Sequence, residues 1–124
     1  MIRSVGFDMV DVPRIEGAIR RWKDRFLRKV YTDKEIEYCR GRRTPSASFA
    51  ARFAAKEAVW KALGLRRGHN PIWSDVEIIT DRDGRPVVLL RGKAQEIAAR
   101  NTVVVSLSHT KEYAAAVAVS LRPE

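Results

Sequence analysis

Asp8, Glu57 and Lys61 are the residues whose types and spacing could do chemistry in this sequence. Glu57 and Lys61 lie four positions apart in "AAKEAVWK", in the order that favours an ordinary helical ion pair worth about 0.3 kcal/mol. Asp8 lies between Phe7 and Met9 in the apolar run "SVGFDMV", whose surroundings we expect to be buried. Two carboxylates in a dry interior repel each other, and they become reasonable when a cation lies between them.

A pair of carboxylates with open coordination positions suits Mg²⁺, which keeps several waters and accepts phosphate oxygens from a substrate. Arg52, Lys56 and Lys61 belong to one short segment and would provide fixed positive charge for phosphates beside the metal. The ordinary ion pair between Glu57 and Lys61 remains the alternative interpretation. The spacing by itself does not name a substrate.

The long segment from Ser48 to Gly64, "SFAARFAAKEAVWKALG", predicts the helix that must position these charges. Phe49, Phe53 and Trp60 form one stripe at helical spacing, and alanines cover most of the opposite side. A helix that is apolar nearly all round packs inside a domain, with both of its sides covered. Charged side chains on such a helix lose hydration and therefore need partners.

The first half of the chain contains clear signals for other elements. "SVGFDMV" predicts a strand, and "DVPRI" predicts the start of a helix with Asp11 as N-cap and Pro13 in the first turn. In "YTDKEIEYCRG", Thr32 and Glu35 have the spacing of a capping box, and Gly41 suits the helix exit. The polar stretch "RGRRTPSAS" predicts a loop that leads to the long helix.

The second half predicts two pairs of strands. "SDVEIIT" and "RPVVLLR" flank a turn that contains Asp83 and Gly84, "KAQEIAAR" predicts a short helix, and "TVVVSLSHT" and "YAAAVAVSL" are joined at "KE". Short connections favour antiparallel pairing. We therefore expect an α+β fold, a single domain over residues 1–124, with an antiparallel sheet packed on the long buried helix.

The composition limits the function classes. Hydrophobic residues make up 45% of the chain and charged residues 31%, which is too hydrophobic for a disordered protein. The chain has no apolar run long enough to span a bilayer and no signal-peptide pattern at its start, so we expect a cytoplasmic protein without a membrane partner. Cys39 is the only cysteine, which excludes an intrachain disulfide and a cysteine metal cage.

The net charge of +9 favours an acidic partner. The excess is concentrated in "RIEGAIRRWKDRFLRK", from Arg14 to Lys29, whose apolar residues recur every three or four positions and predict an amphipathic helix with a basic face. A merely solvated face is the ordinary alternative. A nucleic-acid-binding module would leave Asp8 and Glu57 unexplained and lacks aromatic platforms. A metal-dependent nuclease would use the same carboxylates, but no further acidic residue completes a nuclease pattern.

Four segments together resemble one enzyme family. "GFDMVDVPRI", "FAARFAAKEAVWKALG", "DGRPVVLL" and "SLSHTKEYAAAVA" resemble the holo-acyl-carrier-protein synthases, the small 4′-phosphopantetheinyl transferases, and they occur in the family's order along nearly the whole chain. The resemblance implies Mg²⁺-dependent transfer of 4′-phosphopantetheine from coenzyme A to a serine of apo acyl carrier protein, for fatty acid biosynthesis. It also implies release of adenosine 3′,5′-bisphosphate, and a trimer with coenzyme A bound between subunits.

The resemblance also assigns residues. It implies that Asp8 and Glu57 are the metal carboxylates, that Lys61 lies along the coenzyme A pyrophosphate, and that these three are the catalytic residues, with Glu57 accepting the serine proton directly or through a water. Further coenzyme A contacts are implied for Arg52, Lys56, Gly64, Pro86 and His109. Carrier-protein contacts are implied for Arg14 and for the basic segment after it, at Arg21, Arg25, Phe26 and Arg28. This acidic partner accounts for the net charge without nucleic acid. Two departures from the family pattern are Phe7 and the loop "LRRGHNPIW".

Overall fold

The computed structural model describes residues 1–65 and 70–124. Part of the loop "LRRGHNPIW", residues 66–69, therefore lies outside the described residues. Within them the strands are β1 (Ile2–Asp11), β2 (Val76–Thr80), β3 (Pro86–Leu90), β4 (Thr102–His109) and β5 (Tyr113–Leu121). The helices are α1 (Val12–Trp22), α2 (Asp24–Val30), α3 (Asp33–Arg40), α4 (Pro45–Ala62) and α5 (Gly92–Ala98), and a 3₁₀ turn covers Trp73–Asp75.

The strands form two antiparallel sheets. One has the strand order β1-β5-β4, and the other is the hairpin of β2 and β3. In the three-stranded sheet Asp8 lies opposite Ala116, which lies opposite Leu107. Because facing residues in neighbouring strands point to the same side of a sheet, these three share the inner face, which packs on α4. The predicted α+β fold with antiparallel pairing is confirmed.

The long helix α4 lies at the centre of the hydrophobic core, as its sequence predicts. Its alanines at positions 50, 51, 54, 55 and 58 are completely buried or nearly so. Small side chains let neighbouring backbones come close, and the backbone of β1 approaches α4 closely at Gly6. A Cβ atom on Gly6 would meet Ala58 O and would lie 2.7 Å from Ala62 N. The Ser4 hydroxyl donates a hydrogen bond to Ala62 O in the same contact. β1 therefore lies directly against the last two turns of α4.

The predicted helix starts are confirmed at two places and wrong at a third. The Asp11 side chain accepts a hydrogen bond from Arg14 N at 3.2 Å, and the capping box of Thr32 and Glu35 is complete. The long helix begins at Pro45, whereas the sequence predicts a loop there and a start at Ser48. Proline suits the first turn of a helix because its missing N–H would have no intrahelical partner there.

The basic segment is two helices, where its sequence predicts one. α1 ends at Trp22, Lys23 adopts a φ of 49°, and α2 begins at Asp24. The left-handed region is uncommon for lysine, and nothing in its residue type marks a break. The chain resumes a helix after a single residue, so the apolar periodicity continues across the break.

One face of the three-stranded sheet is open, which corrects the expectation that Phe7 and Met9 are buried. We call this the outer sheet face; it consists of Val5, Phe7, Met9, Val104, Val117 and Val119, which share one side by the strand register. Phe7 is 57% exposed and Met9 60%. They alternate along β1 with residues that face α4, so only every second residue meets the core. Among the described helices, none combines the length and apolar character that a membrane crossing requires.

Candidate active site

The contact between β1 and α4 brings Asp8 next to Lys61. Lys61 Nζ donates hydrogen bonds to Asp8 Oδ1 at 3.2 Å and to Phe7 O at 3.0 Å. The ion pair of Lys61 within the described residues is therefore with Asp8, and the ordinary pair with Glu57 is wrong. Glu57 lies one helical turn before Lys61 on α4, and its carboxylate is half-buried.

Burial raises the pKa of both carboxyl groups, and the charge of Asp8 adds to this effect at Glu57. Burial raises the pKa of Asp8, and the hydrogen bond and charge of Lys61 offset only part of that effect. Burial, and then the charge of Asp8, raise the pKa of Glu57 against the opposing charge of Lys61. The positive charge of Lys61 therefore does not fully compensate the two carboxylates.

This deficit fits a cation such as Mg²⁺ held by Asp8 and Glu57. In the described ranges no group of three or more His, Cys, Asp or Glu side chains could hold a metal ion. Two carboxylates are nevertheless a sufficient protein donor set for Mg²⁺, which commonly completes its coordination with waters and substrate phosphates. The residues present therefore fit the ion.

Arg52 and Pro86 meet at a cavity of about 210 Å³, which we call the Arg52 cavity. Its walls include Tyr38, Arg52, Thr80, Gly84, Pro86 and Leu107. Arg52 is only 5% exposed, and its Nη2 donates to Thr80 Oγ1 at 2.9 Å while the guanidinium lies 4.1 Å from the centroid of the Tyr38 ring. Arg52 Nε is buried and has no hydrogen-bond partner among the described residues. This donor is therefore unsatisfied inside the protein, while the Arg52 side chain forms part of the cavity wall.

His109 lies at a separate cavity of about 500 Å³, at the exposed end of β4. Arg43 and Lys111 line it together with Pro45 and Ser46, the first residues of α4. A helix N-terminus and two cationic side chains favour an anion such as a phosphate. Sequence reasoning missed Arg43 and Lys111. The available signal was Pro45, because proline marks helix starts and a helix start attracts anions.

Lys56 occupies a different environment from the one its sequence predicts. Its side chain is fully buried, and Nζ forms an ion pair with Glu35 Oε1 at 2.7 Å. The ammonium also donates to Trp73 O at 3.1 Å and to Val76 O, so all three of its hydrogens have protein partners. Burial lowers the pKa of Lys56, against the raising effect of the Glu35 charge. This geometry leaves no donor for a coenzyme A phosphate.

Gly64 lies immediately after the helix that carries Lys61. Its N–H donates to Lys61 O at 3.0 Å, and its φ of 89° is in the left-handed region that favours glycine. A Cβ atom there would meet no atom within 4 Å. Among the described residues, Lys61 is exposed.

The predicted carrier-protein residues occupy four different environments. Arg14 is close enough to Asp8 for its charge to oppose the raised pKa of that carboxyl. The Arg21 guanidinium lies 4.9 Å from the centroid of the Trp22 ring. Arg25 and Phe26 line a cavity of about 330 Å³ with Trp22 and Lys29, whereas Arg28 lines another cavity with Asp24, Asp33 and Glu37.

The candidate residues for coenzyme A do not meet in one chain. Lys61 is near the end of α4, and the His109 cavity includes the start of the same helix at Pro45. At about 1.5 Å per residue the two ends are about 24 Å apart along the helix axis. The Arg52 cavity lies between them in helix position. A molecule that contacts all three must be long, or must be shared with a second chain.

Comparison with known proteins agrees with this arrangement of elements. Residues 4–118 match the model of the 4′-phosphopantetheinyl transferase superfamily. A holo-[acyl-carrier-protein] synthase of Syntrophus aciditrophicus is 44% identical, covering 96% of this chain and 95% of the relative. A synthase of the same name from Moorella thermoacetica is 46% identical, covering 94% and 91%.

Solved structures with the same fold include that of Helicobacter pylori holo-[acyl-carrier-protein] synthase in complex with coenzyme A. It has a TM-score of 0.82 and 31% identity, and the match covers 94% of this chain and 98% of that one. A Bacillus anthracis holo-(acyl-carrier-protein) synthase has a TM-score of 0.81 and 30% identity, with 99% of both chains covered. On the family model and these relatives together, the chain belongs to the 4′-phosphopantetheinyl transferase superfamily.

Proposed function

We propose that this enzyme transfers the 4′-phosphopantetheine group of coenzyme A to a serine of apo acyl carrier protein and releases adenosine 3′,5′-bisphosphate. The observation that carries the proposal is the pair of half-buried carboxylates, Asp8 and Glu57, beside a lysine that β1 holds in place. The names of the relatives, and the coenzyme A bound to the Helicobacter pylori enzyme, support the same reaction.

Asp8 and Glu57 would hold Mg²⁺. When bound, the ion neutralises negative charge on the pyrophosphate as the new phosphodiester forms. The mutual repulsion of the two carboxylates supports this assignment, because a cation between them would relieve it.

Lys61 stabilises the negative charge of the leaving group, and Glu57 accepts the proton of the serine. The serine oxygen attacks the phosphorus that bears pantetheine, and the bond from that phosphorus to the leaving nucleotide phosphate breaks. Two hydrogens of the Lys61 ammonium are held by Phe7 O and Asp8 Oδ1, so the third can stabilise an oxygen of the leaving group. Glu57 accepts the serine proton directly or through a water, and burial makes it a stronger base than an exposed carboxylate.

The nucleotide end of coenzyme A would use the Arg52 cavity and the cavity that His109 lines. The Arg52 guanidinium in the wall of the Arg52 cavity supports a polar contact there, where Pro86 offers an apolar surface. The cluster of His109, Arg43 and Lys111 supports binding of a phosphate at the start of α4. Gly64, whose N–H is bonded to Lys61 O, would lie beside the pyrophosphate. We do not extend the coenzyme A site to Lys56, because its hydrogens are already used.

A homotrimer would bring these separated groups together. The outer sheet face supports this proposal, because an exposed area of valine, phenylalanine and methionine side chains on one sheet is typical of an interface. A neighbouring copy seated on this face could place its nucleotide cavity near Lys61 of the first copy. Coenzyme A would then contact Lys61 of one copy and the nucleotide cavity of another, so it would not need to cover the distance of about 24 Å along α4 of a single chain.

The acyl carrier protein would dock on the basic surface of α1 and α2. Arg14 is close to Asp8, so a partner that contacts Arg14 would place its serine near the carboxylates. Arg21, Arg25 and Phe26 lie further along the same two helices, and Arg28 follows on α2. Basic side chains around an apolar one complement an acidic helix and speed its association.

Intact mass of apo acyl carrier protein tests the reaction directly. We expect incubation with this enzyme, coenzyme A and Mg²⁺ to add one phosphopantetheine, and EDTA to abolish the gain. Glu57→Gln should lower kcat by at least about 100-fold, since it removes both a metal carboxylate and the base. Glu96→Gln, on the exposed side of α5, is the matched control and should keep full activity. A Glu57→Gln enzyme with full turnover would contradict both assignments, and no gain with any carrier protein would contradict the reaction.

A further inference from the structure

A cluster of charged side chains lies inside the molecule, away from the two catalytic carboxylates. We call it the buried charge network; it consists of Thr32, Glu35, Lys56, Glu77 and Arg91. Glu35, Lys56 and Glu77 are each 2% exposed or less. Buried charges are strongly unfavourable unless they are paired and hydrogen-bonded. The partners of these three side chains therefore determine whether their positions can be kept.

Glu35 connects three elements. Its Oε1 accepts hydrogen bonds from Thr32 N at 2.8 Å and lies 2.7 Å from Lys56 Nζ, while its Oε2 accepts from Ile78 N at 2.9 Å. These partners belong to the start of α3, to α4 and to β2. One carboxylate thus caps a helix, neutralises a buried ammonium and satisfies an N–H of the hairpin.

Glu77 and Lys56 extend the connection to the rest of the hairpin. Glu77 accepts hydrogen bonds from the Thr32 hydroxyl and, at 2.8 Å, from Arg91 Nη2. Burial alone would raise the pKa of Glu77, but the bonds from Thr32 and Arg91 and the charge of Arg91 outweigh it and lower the pKa. Lys56 binds the backbone carbonyls of Trp73 and Val76, where the chain enters β2. Two anions and two cations make the network neutral.

The same elements build the Arg52 cavity. Tyr38 comes from α3, Arg52 from α4 one turn before Lys56, Thr80 from β2 and Pro86 from β3. A shift of the hairpin relative to α4 would separate Arg52 from Thr80, whose hydrogen bond is 2.9 Å long. The buried charge network contacts all three of α3, α4 and the hairpin, so it fixes the distance between the cavity walls.

We propose that Lys56 is a positioning residue, which through Glu35 holds the hairpin and α3 against α4 and so gives the Arg52 cavity the shape that binds the nucleotide end of coenzyme A. This inference rests on the proposed function. The sequence predicts that Lys56 contacts a phosphate, whereas here Lys56 affects the ligand only through Glu35 and the elements that Glu35 holds.

Affinity for adenosine 3′,5′-bisphosphate, measured by calorimetry, separates positioning from direct contact. The variants are Lys56→Met, Glu35→Gln and the double variant, which keeps the interior free of an unpaired charge if Lys56→Met fails to fold. Positioning predicts that Glu35→Gln weakens binding about tenfold, although buried Glu35 cannot touch the ligand. It also predicts that the double variant loses less affinity than the product of the two single effects, because the two residues act through each other. Direct contact predicts unchanged affinity in Glu35→Gln, which would overturn the proposal.

Steady-state kinetics distinguish positioning from a purely stabilising role, which would not change KM for coenzyme A. We expect Glu35→Gln to raise KM for coenzyme A about tenfold and to leave kcat within about twofold, because Asp8, Glu57 and Lys61 keep their contacts. A lower melting temperature with unchanged KM would overturn the proposal. Asp24→Asn, which breaks the exposed pair with Arg40, is the control and should leave KM for coenzyme A unchanged.

Amide hydrogen exchange tests the positioning role of Lys56 without depending on the proposed function, because it requires no ligand. Wild-type enzyme that binds neither coenzyme A nor adenosine 3′,5′-bisphosphate would contradict the proposed function and, with it, the ligand part of this inference. The positioning part predicts faster exchange at Ile78 and Thr80 in Glu35→Gln, because the hairpin loses its attachment. Unchanged exchange at both amides would overturn it as well.

Discussion

At the scale of single residues, the most informative feature is the shared environment of Asp8 and Glu57. Each carboxylate is half-buried, and the Asp8 charge adds to the effect of burial on Glu57. Lys61 touches Asp8 but not Glu57 within salt-bridge distance among the described residues. Glu57 is therefore the less compensated of the two charges. A residue in this state costs folding free energy until a cation arrives.

Replacement of Glu57 by glutamine should stabilise the metal-free protein at neutral pH. The pKa of Glu57 is raised in the folded state, so the stability from proton binding is full below the unfolded value of about 4.3 and is lost as pH rises through the folded pKa. In EDTA at pH 7, Glu57→Gln should therefore melt at a higher temperature than wild type.

The advantage of Glu57→Gln should shrink towards pH 4, where the wild-type carboxyl takes up its proton. It should also disappear when Mg²⁺ is added, because only the wild-type enzyme keeps both carboxylates for the ion. Glu96→Gln is the control for a general effect of charge removal. An equal or lower melting temperature of Glu57→Gln in EDTA at pH 7 would contradict the assigned electrostatics.

Lys56 and Lys61 show that residue type alone does not predict the environment of a lysine on α4. The sequence predicts both as phosphate ligands, since both are lysines on one helix near a carboxylate. Five positions at 100° each put them on different sides of α4. The partner that encloses Lys56 is Glu35, which is remote in sequence and reaches it only through the packing of α3. No local pattern contains that information.

At the scale of elements, the close approach of β1 and α4 positions the proposed catalytic residues. Gly6 allows it, because a side chain there would collide with the backbone of the helix. Asp8 lies two residues further along the same face of β1, and Lys61 lies on the turn of α4 that Gly6 touches. The distance between Asp8 and Lys61 therefore depends on a glycine that takes no part in the chemistry.

Gly6→Ala should disrupt both stability and catalysis. The new Cβ would clash with Ala58 O and would lie 2.7 Å from Ala62 N, so β1 must move away from α4. We expect a loss of about 3 kcal/mol in the free energy of unfolding, measured by urea titration, and a fall in kcat.

Gly17→Ala is the matched control for Gly6→Ala. Gly17 is exposed within α1, and a Cβ atom there would meet nothing within 4 Å. Alanine should stabilise that helix by about 0.5 kcal/mol or more, because glycine is a poor helix former. A Gly6→Ala protein as stable and active as Gly17→Ala would contradict the proposed importance of the close contact.

Element types were predictable from this sequence to a greater extent than element ends. The caps at Asp11 and Thr32 were predictable because the bonds that make them join residues three positions apart. The break at Lys23 was not, since lysine has no preference for a positive φ. The alternation along β1 was available in principle, but an apolar residue on an open face looks the same in sequence as one in the core.

At the scale of the whole molecule, the proposed associations depend on the charge distribution and on the outer sheet face. The net charge of +9 includes the basic residues of α1 and α2, and Arg14 connects that surface to the catalytic carboxylates. The apolar outer face is on the other side of the sheet from α4. One surface thus suits an acidic partner, and the other suits a second copy of the chain.

Reversal of one charge on α2 should weaken carrier-protein binding selectively. Arg25→Glu should raise KM for apo acyl carrier protein about tenfold or more and leave KM for coenzyme A unchanged, and the wild-type KM should rise with ionic strength. Arg100→Glu makes the same change in charge at an exposed site after α5. Equal effects of the two variants would indicate that only net charge matters and would contradict a defined docking surface.

A lysine on the outer sheet face should separate the subunits. Phe7→Lys adds a charge where the proposed trimer buries an aromatic ring, and Phe7 is already exposed in the single chain, so the fold should survive. Sedimentation should find a trimer for wild type and a monomer for the variant. Leu89→Lys, at an exposed apolar position of β3, should leave the mass unchanged. A wild-type monomer would contradict the proposed assembly.

The open outer face also has a consequence for how this enzyme responds to dilution. In the proposed assembly each reaction centre takes its nucleotide cavity from another copy, so the number of complete centres follows the law of mass action. Below the dissociation constant of the trimer, activity per milligram should fall steeply with enzyme concentration, although every chain remains folded. The amount of enzyme in a cell would then set both how many chains exist and what fraction of them can work.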